Sequence, residues 1–214
     1  MEEEDSAEEI EFLDGIESVR RRAPMYLGRL DAPELTTRLL MQALCHAIDS
    51  AIDGRCTEIV IEVSETVARV TYDAALPLER TPAGSTAAEV MLTALHACSS
   101  MKKHVRIGDR YCSLGMAVLT VVSQEMVAEI VEGERACTIE LARGHLRSPV
   151  AITRHGAPTG DLTRLSFRLD EELLHDNVKF DATRIEAVCR EVQDDVGGVR
   201  IEVRAVGEMV VGGA

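Results

Sequence analysis

The chain has 214 residues, of which 46% are hydrophobic and 28% are charged. This composition is typical of a folded globular protein and unlike that of a disordered chain. The 37 acidic and 23 basic residues leave a formal net charge of -14, which excludes general binding to nucleic acid or to an anionic lipid surface. Aromatic residues make up 3%, too few to build a base-stacking groove, so the core must be aliphatic.

The sequence contains no apolar run approaching the roughly 18 residues that a membrane-spanning helix needs. Its start, Met1-Glu2-Glu3-Glu4-Asp5, is acidic, which is the reverse of a secretory signal. We therefore expect a cytoplasmic protein with no membrane partner.

The six cysteines are scattered and include no Cys-x-x-Cys pair, so we expect most of them to be buried reduced thiols. Neither the cysteines nor the six histidines show the spacing of zinc ligands, and we expect no metal site. Cys45 fits a small core residue better than a reactive thiol.

The acidic composition of residues 1–9 predicts a flexible tail. One domain is expected over 10–206, since the sequence shows neither an internal repeat nor a linker. Gly212-Gly213 marks a loose C-terminal end over 207–214.

The strongest helical pattern covers 34–53, where apolar residues recur at three- and four-residue steps and Gly54 occupies the C-terminal cap position. A turn is predicted at 25–28. The polar stretch 99–110 has no clear period and predicts a mobile loop. The predicted helices are 16–22, 34–53, 87–97, 114–122 and 181–194.

Short runs rich in β-branched residues, separated by glycine and proline, predict strands. The predicted strands are 59–63, 67–72, 126–131, 136–142, 162–169 and 199–206. Helices gathered early and strands gathered later favour an α+β fold, a two-layer sandwich with helices on one face of a mostly antiparallel sheet.

Five sequence landmarks occur in the order of a known family. They are Gly15-Ile16-Glu17-Ser18-Val19-Arg20-Arg21-Arg22, Met25-Tyr26-Leu27-Gly28, the helices at 42–56 and 87–97, and Thr159-Gly160-Asp161. Over about 10–206 the chain resembles the ATPase domain of the bacterial DNA gyrase B protein and of its topoisomerase IV relative. The resemblance implies the GHKL, or Bergerat, α/β sandwich.

The same resemblance implies that the family's catalytic groups are missing. Where the family has a Glu that deprotonates water and an Asp-Asn pair whose Asn holds magnesium, this chain has Gln42, Cys45 and His46. An amide takes no proton from water, so a general-base contribution of about 10²–10⁴-fold is lost. Magnesium prefers oxygen ligands, which makes His46 a poor replacement for Asn. At the end of the helix, Ser50 stands where the family has Glu.

The family's adenine and phosphate contacts are changed as well. The strands predicted at 59–63 and 67–72 form a hairpin, and the family's glycine-containing motif after this hairpin is shorter here and has lost its glycines. Tyr72 then takes the adenine position, unless the residue missing from the motif falls after Asp73. Of the glycine-rich lid, only Gly115 is kept within 109–115, and side chains at the lost glycines restrict the positive-φ backbone of a phosphate cradle. Asp161 replaces a hydroxyl and suits an amino group.

Larger side chains bear on whether the family's cavity survives. Tyr72, Tyr111 and His46 exceed the groups that they replace, and we expect them to fill part of the adenine and metal sites.

A basic cluster lies within the otherwise acidic chain, where the family's lid lysine would fall. It is either a solvated loop or a site for phosphate or an acidic partner. Its members are Lys102, Lys103, His104, Arg106 and Arg110.

These substitutions together predict a degenerate gyrase-B-like domain, a pseudo-ATPase with weak or no ATP binding that acts on a protein partner or as a homodimer. We assign it no catalytic residue and no metal. The degenerate pocket positions are Gln42, His46, Ser50, Tyr72, Asp73, Gly115, Cys137 and Asp161.

Two alternatives stay open. A divergent ATPase would have moved its base to Asp73, Asp49 or Glu89. A small-molecule binder would reuse the pocket for another ligand, with Tyr72, Cys137 and Asp161 along its wall.

Overall fold

An eight-stranded sheet forms the centre of the computed structural model, which describes residues 15–97, 101–154, 160–175 and 177–212. The strands are β1 (Glu58–Val63), β2 (Val67–Tyr72), β3 (Ser123–Glu132), β4 (Arg135–Ala142), β5 (His145–Leu146), β6 (Ile152–Arg154), β7 (Leu162–Leu169) and β8 (Arg200–Ala205). Their order is β5-β4-β3-β7-β2-β1-β8, and β6 also pairs with β4. β1 and β8 run parallel, whereas the other described pairs are antiparallel.

Helices cover one face of this sheet, as the sequence predicts. They are α1 (Gly15–Arg21), α2 (Ala23–Leu27), α3 (Leu35–Gln42), α4 (Cys45–Ile52), α5 (Ala87–Thr93), α6 (Val105–Tyr111), α7 (Met116–Val121), α8 (Glu171–Leu174) and α9 (Ala182–Val196). Because side chains alternate between the two faces of a strand, Met126, Ala128 and Ile130 of β3 turn into the core against the helices. The predicted α+β sandwich is confirmed.

The predicted single helix over 34–53 is wrong, since the chain forms α3 and α4 with a tight turn between them. At the turn, the N–H groups of Ala43 and Leu44 donate to Leu40 O at 2.9 Å and to Met41 O at 3.0 Å, three residues back rather than four. The Cys112 Sγ also donates to Met41 O at 3.0 Å. The Met41 carbonyl thus accepts from both Leu44 and Cys112, which the apolar periodicity of the sequence does not reveal.

Three shorter predictions also need correction. The predicted turn at 25–28 overlaps the end of α2, which has proline in its first turn, where proline is tolerated. The predicted loop at 99–110 contains most of α6. The predicted helix over 87–97 ends at Thr93, because Ala94 is extended with φ -93° and ψ 121°.

The predicted tail at 1–9 lies outside the described residues. At the other end, the Val206 N–H donates to Val63 O at 2.9 Å, and residues 206–212 contain no helix or strand. No helix within the described ranges is both long and apolar enough to cross a membrane.

A buried carboxylate joins α1 to the carboxyl end of β7. Asp170, 1% exposed, follows β7. Its Oδ2 accepts from Arg20 at 2.7 Å and pairs with Arg143 Nε at 3.0 Å. Arg20 also donates to Val121 O at 2.9 Å. α1, the β4–β5 turn and the end of β7 therefore share one charge centre.

Asp170→Asn should lower the free energy of unfolding by about 1.5–3 kcal/mol, because it removes charge-assisted hydrogen bonds around a buried site. Urea denaturation measures the change. Glu65→Gln, which removes an exposed pair with Lys179, is the control and should change stability little. Equal effects of the two substitutions would contradict a special role for Asp170.

Candidate functional site

A cavity of about 560 Å³ opens beside α4, within the range of roughly 300–1,000 Å³ common for small-molecule sites. We call it the α4 cavity. One wall comes from α4 and another from the segment that follows β2. The ends of β3 and β7 and residues 101–103 complete it. A void of ligand size has therefore survived the larger side chains.

Gln42 lies at the end of α3 and is fully buried. Its Nε2 donates to Arg38 O at 2.6 Å and to Tyr111 O at 3.4 Å. Its Oε1 accepts from the N–H groups of Leu114 at 3.0 Å and Gly115 at 2.8 Å. We call this set the Gln42 clamp. Both ends of the amide are bonded to backbone, so the side chain acts as a structural tie between α3 and the segment before α7.

His46 forms part of the cavity wall and is 9% exposed. Its Nε2 lies 3.4 Å from the Oγ of the buried Ser50, while its Nδ1 has no hydrogen-bond partner. Burial lowers the pKa of His46 to about 4, helped by the positive charge of Arg55 and opposed by Asp49. At neutral pH His46 is an uncharged imidazole.

Tyr72 packs in the core behind the cavity, with its ring centroid 5.8 Å from that of His46. Its hydroxyl is buried and makes no hydrogen bond of normal geometry, and burial raises its pKa above the usual range. Tyr72 therefore fills space beneath the site and presents no polar group to the cavity.

Asp73 lies beside β1 and is bonded there. Its Oδ1 accepts from the N–H groups of Thr57 at 2.8 Å and Glu58 at 2.9 Å, and its Oδ2 accepts from the Thr57 hydroxyl at 2.5 Å. Burial alone would raise the pKa of Asp73, but these hydrogen bonds leave it below its usual value. Asp73 thus fastens the start of β1 to the end of β2 and does not line the α4 cavity.

The two other candidates for a re-sited base are also engaged by backbone. Glu89 forms a capping box with Thr86 at the start of α5 and accepts from the Thr86 N–H at 2.5 Å. Asp49 accepts from the N–H groups of Lys103 at 3.1 Å and His104 at 2.9 Å. Asp49 lines the cavity, but it also orders the segment before α6.

The stretch at the lid position, 109–115, is helical only as far as Tyr111, and its residues and their neighbours are bonded to their surroundings. Lys102 is buried, and its Nζ donates to Asp109 Oδ1 at 3.2 Å and Cys112 O at 3.0 Å. The Tyr111 hydroxyl donates to Asp195 of α9 at 2.7 Å, so Tyr111 points away from the cavity. Gly115, with φ 86°, precedes α7 and belongs to the Gln42 clamp.

Four of the five members of the basic cluster, Lys102, Lys103, His104 and Arg110, contact carboxylates. Lys103 Nζ donates to Asp53 at 2.9 Å, and His104 Nε2 lies 2.7 Å from the same carboxylate. These contacts hold the pKa of Asp53 well below its usual range, with His104 the largest cause. Arg110 pairs with Asp195 at 2.6 Å and Glu191 at 3.2 Å, and Arg106 is exposed.

Four cysteines, Cys56, Cys112, Cys137 and Cys189, are buried and free, as predicted. Cys45 is disulfide-bonded, so the prediction of a simple core thiol is wrong for this residue. Cys137 lies in β4 by a separate surface depression, so neither it nor Tyr72 forms the cavity wall expected of them. Asp161 does line the cavity and accepts from the Gly133 N–H at 3.0 Å.

Several residues of the cavity wall were missed by sequence reasoning. Arg55, Glu79 and Glu132 line the cavity, but they lie at segment ends where no periodic pattern or motif marks them. Within the described ranges, no group of three or more His, Cys, Asp or Glu residues is arranged to hold a metal ion.

Comparison with known proteins agrees with the fold. The chain is 30% identical over 200 residues to the DNA gyrase B protein of Thermus thermophilus, covering 91% of this chain and 31% of that protein. It is 26% identical over 202 residues to the DNA topoisomerase 4 B protein of Rickettsia typhi, covering 92% of this chain and 30% of that protein. No family model matches the chain.

Among solved structures, the chain is similar to the 43K ATPase domain of Thermus thermophilus gyrase B, solved in complex with an aminocoumarin. The TM-score is 0.73 at 26% identity, over 90% of this chain and 49% of that one. The chain is a homologue of the gyrase B ATPase domain. It spans about a third of the length of the gyrase B and topoisomerase IV proteins named above.

Gln42→Glu restores the family's acid to this gyrase-B-like domain, yet we expect it to lower the free energy of unfolding by about 1–3 kcal/mol. The carboxylate donates no hydrogen bond and faces two backbone carbonyl oxygens. Denaturant titration checks this, with the exposed Gln124→Glu as the matched control. A Gln42→Glu variant that is more stable than wild type, or that gains ATP turnover, would contradict the role of Gln42 as a structural tie.

His46 should make the domain less stable as the pH falls from about 6.5 to about 4. In the unfolded chain the His46 imidazole takes up a proton near its ordinary pKa of about 6.5, whereas in the folded chain it does so only near pH 4. The contribution of neutral His46 to the free energy of unfolding is therefore complete above pH 6.5 and lost below pH 4. The loss is about 3 kcal/mol. Urea titrations across this range should show a shallower pH slope for His46→Asn than for wild type. The exposed His145→Asn should keep the wild-type slope.

Proposed function

We propose that this chain is a catalytically inactive gyrase-B-like domain, a pseudo-ATPase that binds Mg-ATP weakly or not at all. It acts through contact with another protein or with a second copy of itself. The Gln42 clamp carries the proposal. A general base needs a free lone pair within hydrogen-bond reach of the water that it activates. Gln42 offers an amide whose oxygen already accepts two backbone N–H groups.

The α4 residues that line the cavity also fit magnesium poorly. Magnesium takes oxygen ligands in near-octahedral geometry. On this side the cavity is lined by the His46 ring and the disulfide-bonded Cys45, while the carboxylate of Asp49 is engaged by two backbone N–H groups. We therefore derive no hydrolytic step through a bound metal.

A triphosphate would find no free cation in the described part of the wall. Lys102 and Lys103 line the cavity but donate to Asp109 and Asp53 respectively. Arg55 pairs with Asp53 at 3.2 Å. Of the segment 109–115, which would supply a glycine-rich cradle, residues 109–111 belong to α6, and the N–H groups of Leu114 and Gly115 donate to Gln42. A phosphate cradle depends on successive unpaired N–H groups.

A divergent ATPase is less well supported. Asp73, Asp49 and Glu89 each bond backbone N–H groups, so deprotonating water would compete with the local structure that each of them holds. Small-molecule binding has one specific observation in its favour, the surviving cavity of about 560 Å³.

The test is calorimetry and phosphate release with ATP and magnesium, using the Thermus gyrase B domain as the comparator. If three contacts worth about 1–2 kcal/mol each are lost, affinity should fall by roughly two to four decades. Release should equal that of a boiled sample. Sedimentation velocity tests whether the chain associates with a second copy of itself, and affinity capture tests whether it binds another protein.

Saturable, magnesium-dependent turnover would contradict the proposal. Turnover that Asp73→Ala removed in a variant with an unchanged circular dichroism spectrum would also identify the re-sited base. A chain that stays monomeric and captures no protein would contradict the interaction role.

A further inference from the structure

Residues 206–212, which follow β8, run from one edge of the sheet to a strand near the other edge, and we call them the strap. At the first end, the Val206 N–H donates to Val63 O of β1 at 2.9 Å. At the other end the strap lies over β3, because a methyl group added to Gly212 would be 3.3 Å from Cγ2 of Val127. The strap therefore joins β8 to β3 without forming a strand itself.

The strap lies on the outer face of the sheet, the face away from the helices. Val127 alternates along β3 with Met126 and Ala128, which point into the core, so its side chain points outward. Four strand spacings separate β8 from β3, or about 19 Å, and six residue steps reach roughly 20–22 Å. With so little slack, the strap must cross directly over β1, β2 and β7.

The part of the outer face along this path is the seat of the strap. Val127 pairs in register with Ser166 of β7, Ser166 with Arg69 of β2, and Arg69 with Glu62 of β1, so these four side chains share the outer face. Arg69 donates to the Ser166 hydroxyl at 3.2 Å and pairs with Glu62 at 3.7 Å. Ser166 is only 1% exposed, although a bare outer face leaves such a residue open to solvent. The seat is therefore covered at its centre, and its charges are already paired.

The strap turns apolar side chains towards this seat and is held by few hydrogen bonds. Met209 and Val211 are partly buried, whereas Glu208 and Val210 between and beside them are exposed, Val210 at 62%. Among the described residues, the bond from Val206 is the one backbone hydrogen bond between strap and sheet. A segment with so few buried contacts opens at a small cost in free energy, so the strap can leave its seat while the sheet stays folded.

We propose that the seat binds the strap of a second copy of this chain, so that two copies exchange residues 206–212. Each copy carries both parts of the contact, and an exchanged pair makes that contact twice, which is a low-cost route to a dimer. The inference rests on the proposed function, since it locates the contact with a second copy that the proposal includes. A strap on a short tether meets its own seat at an effective concentration in the millimolar range. The closed form therefore predominates in dilute solution, and the dimer fraction of wild type should rise with protein concentration.

Two variants of the full chain test the exchange. Val211→Asp puts a charge on the sheet side of the strap and leaves the seat open, whereas Val127→Lys damages the seat and leaves the strap free. Each variant alone should be monomeric in sedimentation velocity, because one has no working strap and the other has no working seat. An equimolar mixture of the two should form a dimer.

Val210→Asp is the matched control, since it makes the same change at the neighbouring valine, which is exposed. Its strap should stay closed. Mixed with Val127→Lys, it should give no larger a dimer fraction than wild type gives in the same mixture.

A fluorescent peptide of residues 206–212 tests the seat by itself. Anisotropy titrations should show that it binds Val211→Asp at least about tenfold more tightly than wild type, whose own strap competes for the seat. Val127→Lys should not bind it. Circular dichroism and thermal denaturation establish that each variant is folded, and the comparison of Val211→Asp with wild type does not depend on Val127→Lys.

A mixture that stays monomeric although both variants are folded would overturn the proposal, as would a peptide that binds Val211→Asp no better than wild type. These failures differ from failure of the proposed function, which would appear as tight binding or turnover of Mg-ATP. A chain that captures another protein but forms no dimer in the mixture keeps the interaction role and removes the exchange.

Discussion

The site depends on one amide. Gln42 is fixed by four backbone groups, two of them carbonyl oxygens and two N–H groups, and an amide is the side chain that can both donate and accept in this way. A carboxylate accepts only, so it could bond Leu114 and Gly115 but would face Arg38 O and Tyr111 O without a donor. The amide at this position therefore ties the segment before α7 to α3 through bonds that a carboxylate could make only in part.

Ion pairs determine the electrostatic pattern around the cavity. In a chain with a net charge of -14, cations near the site find carboxylates at close range, and Asp53 alone receives Lys103, His104 and Arg55. The residues that would attract phosphate are thereby used to hold α4 against the segment before α6. Burial has a parallel effect on His46, because a charged imidazole would lose its hydration. The wall therefore presents a neutral imidazole, and its three cationic side chains, Arg55, Lys102 and Lys103, are paired with carboxylates.

Sequence reasoning was most successful where one physical signal dominates. Short strand-like runs bounded by turn residues predict β2 and β7 with the observed ends. The same signal is missing for the two-residue β5 and three-residue β6, which are too short to show it. α6 escapes prediction because only Gly108 and Tyr111 of its residues are buried, so it has no apolar stripe. The cavity wall is harder still, because Glu79 and Glu132 meet only through the folded topology and no local pattern connects them.

The contact between Arg20 and Asp170 spans 150 positions of the chain. A ribosome adding about 5–20 residues per second needs roughly 8–30 s to cover that interval. Throughout this time α1 has left the exit tunnel without the carboxylate that anchors it. Arg20 therefore lacks its Asp170 partner until β7 has been made, although Val121 O, which it also contacts, is made earlier.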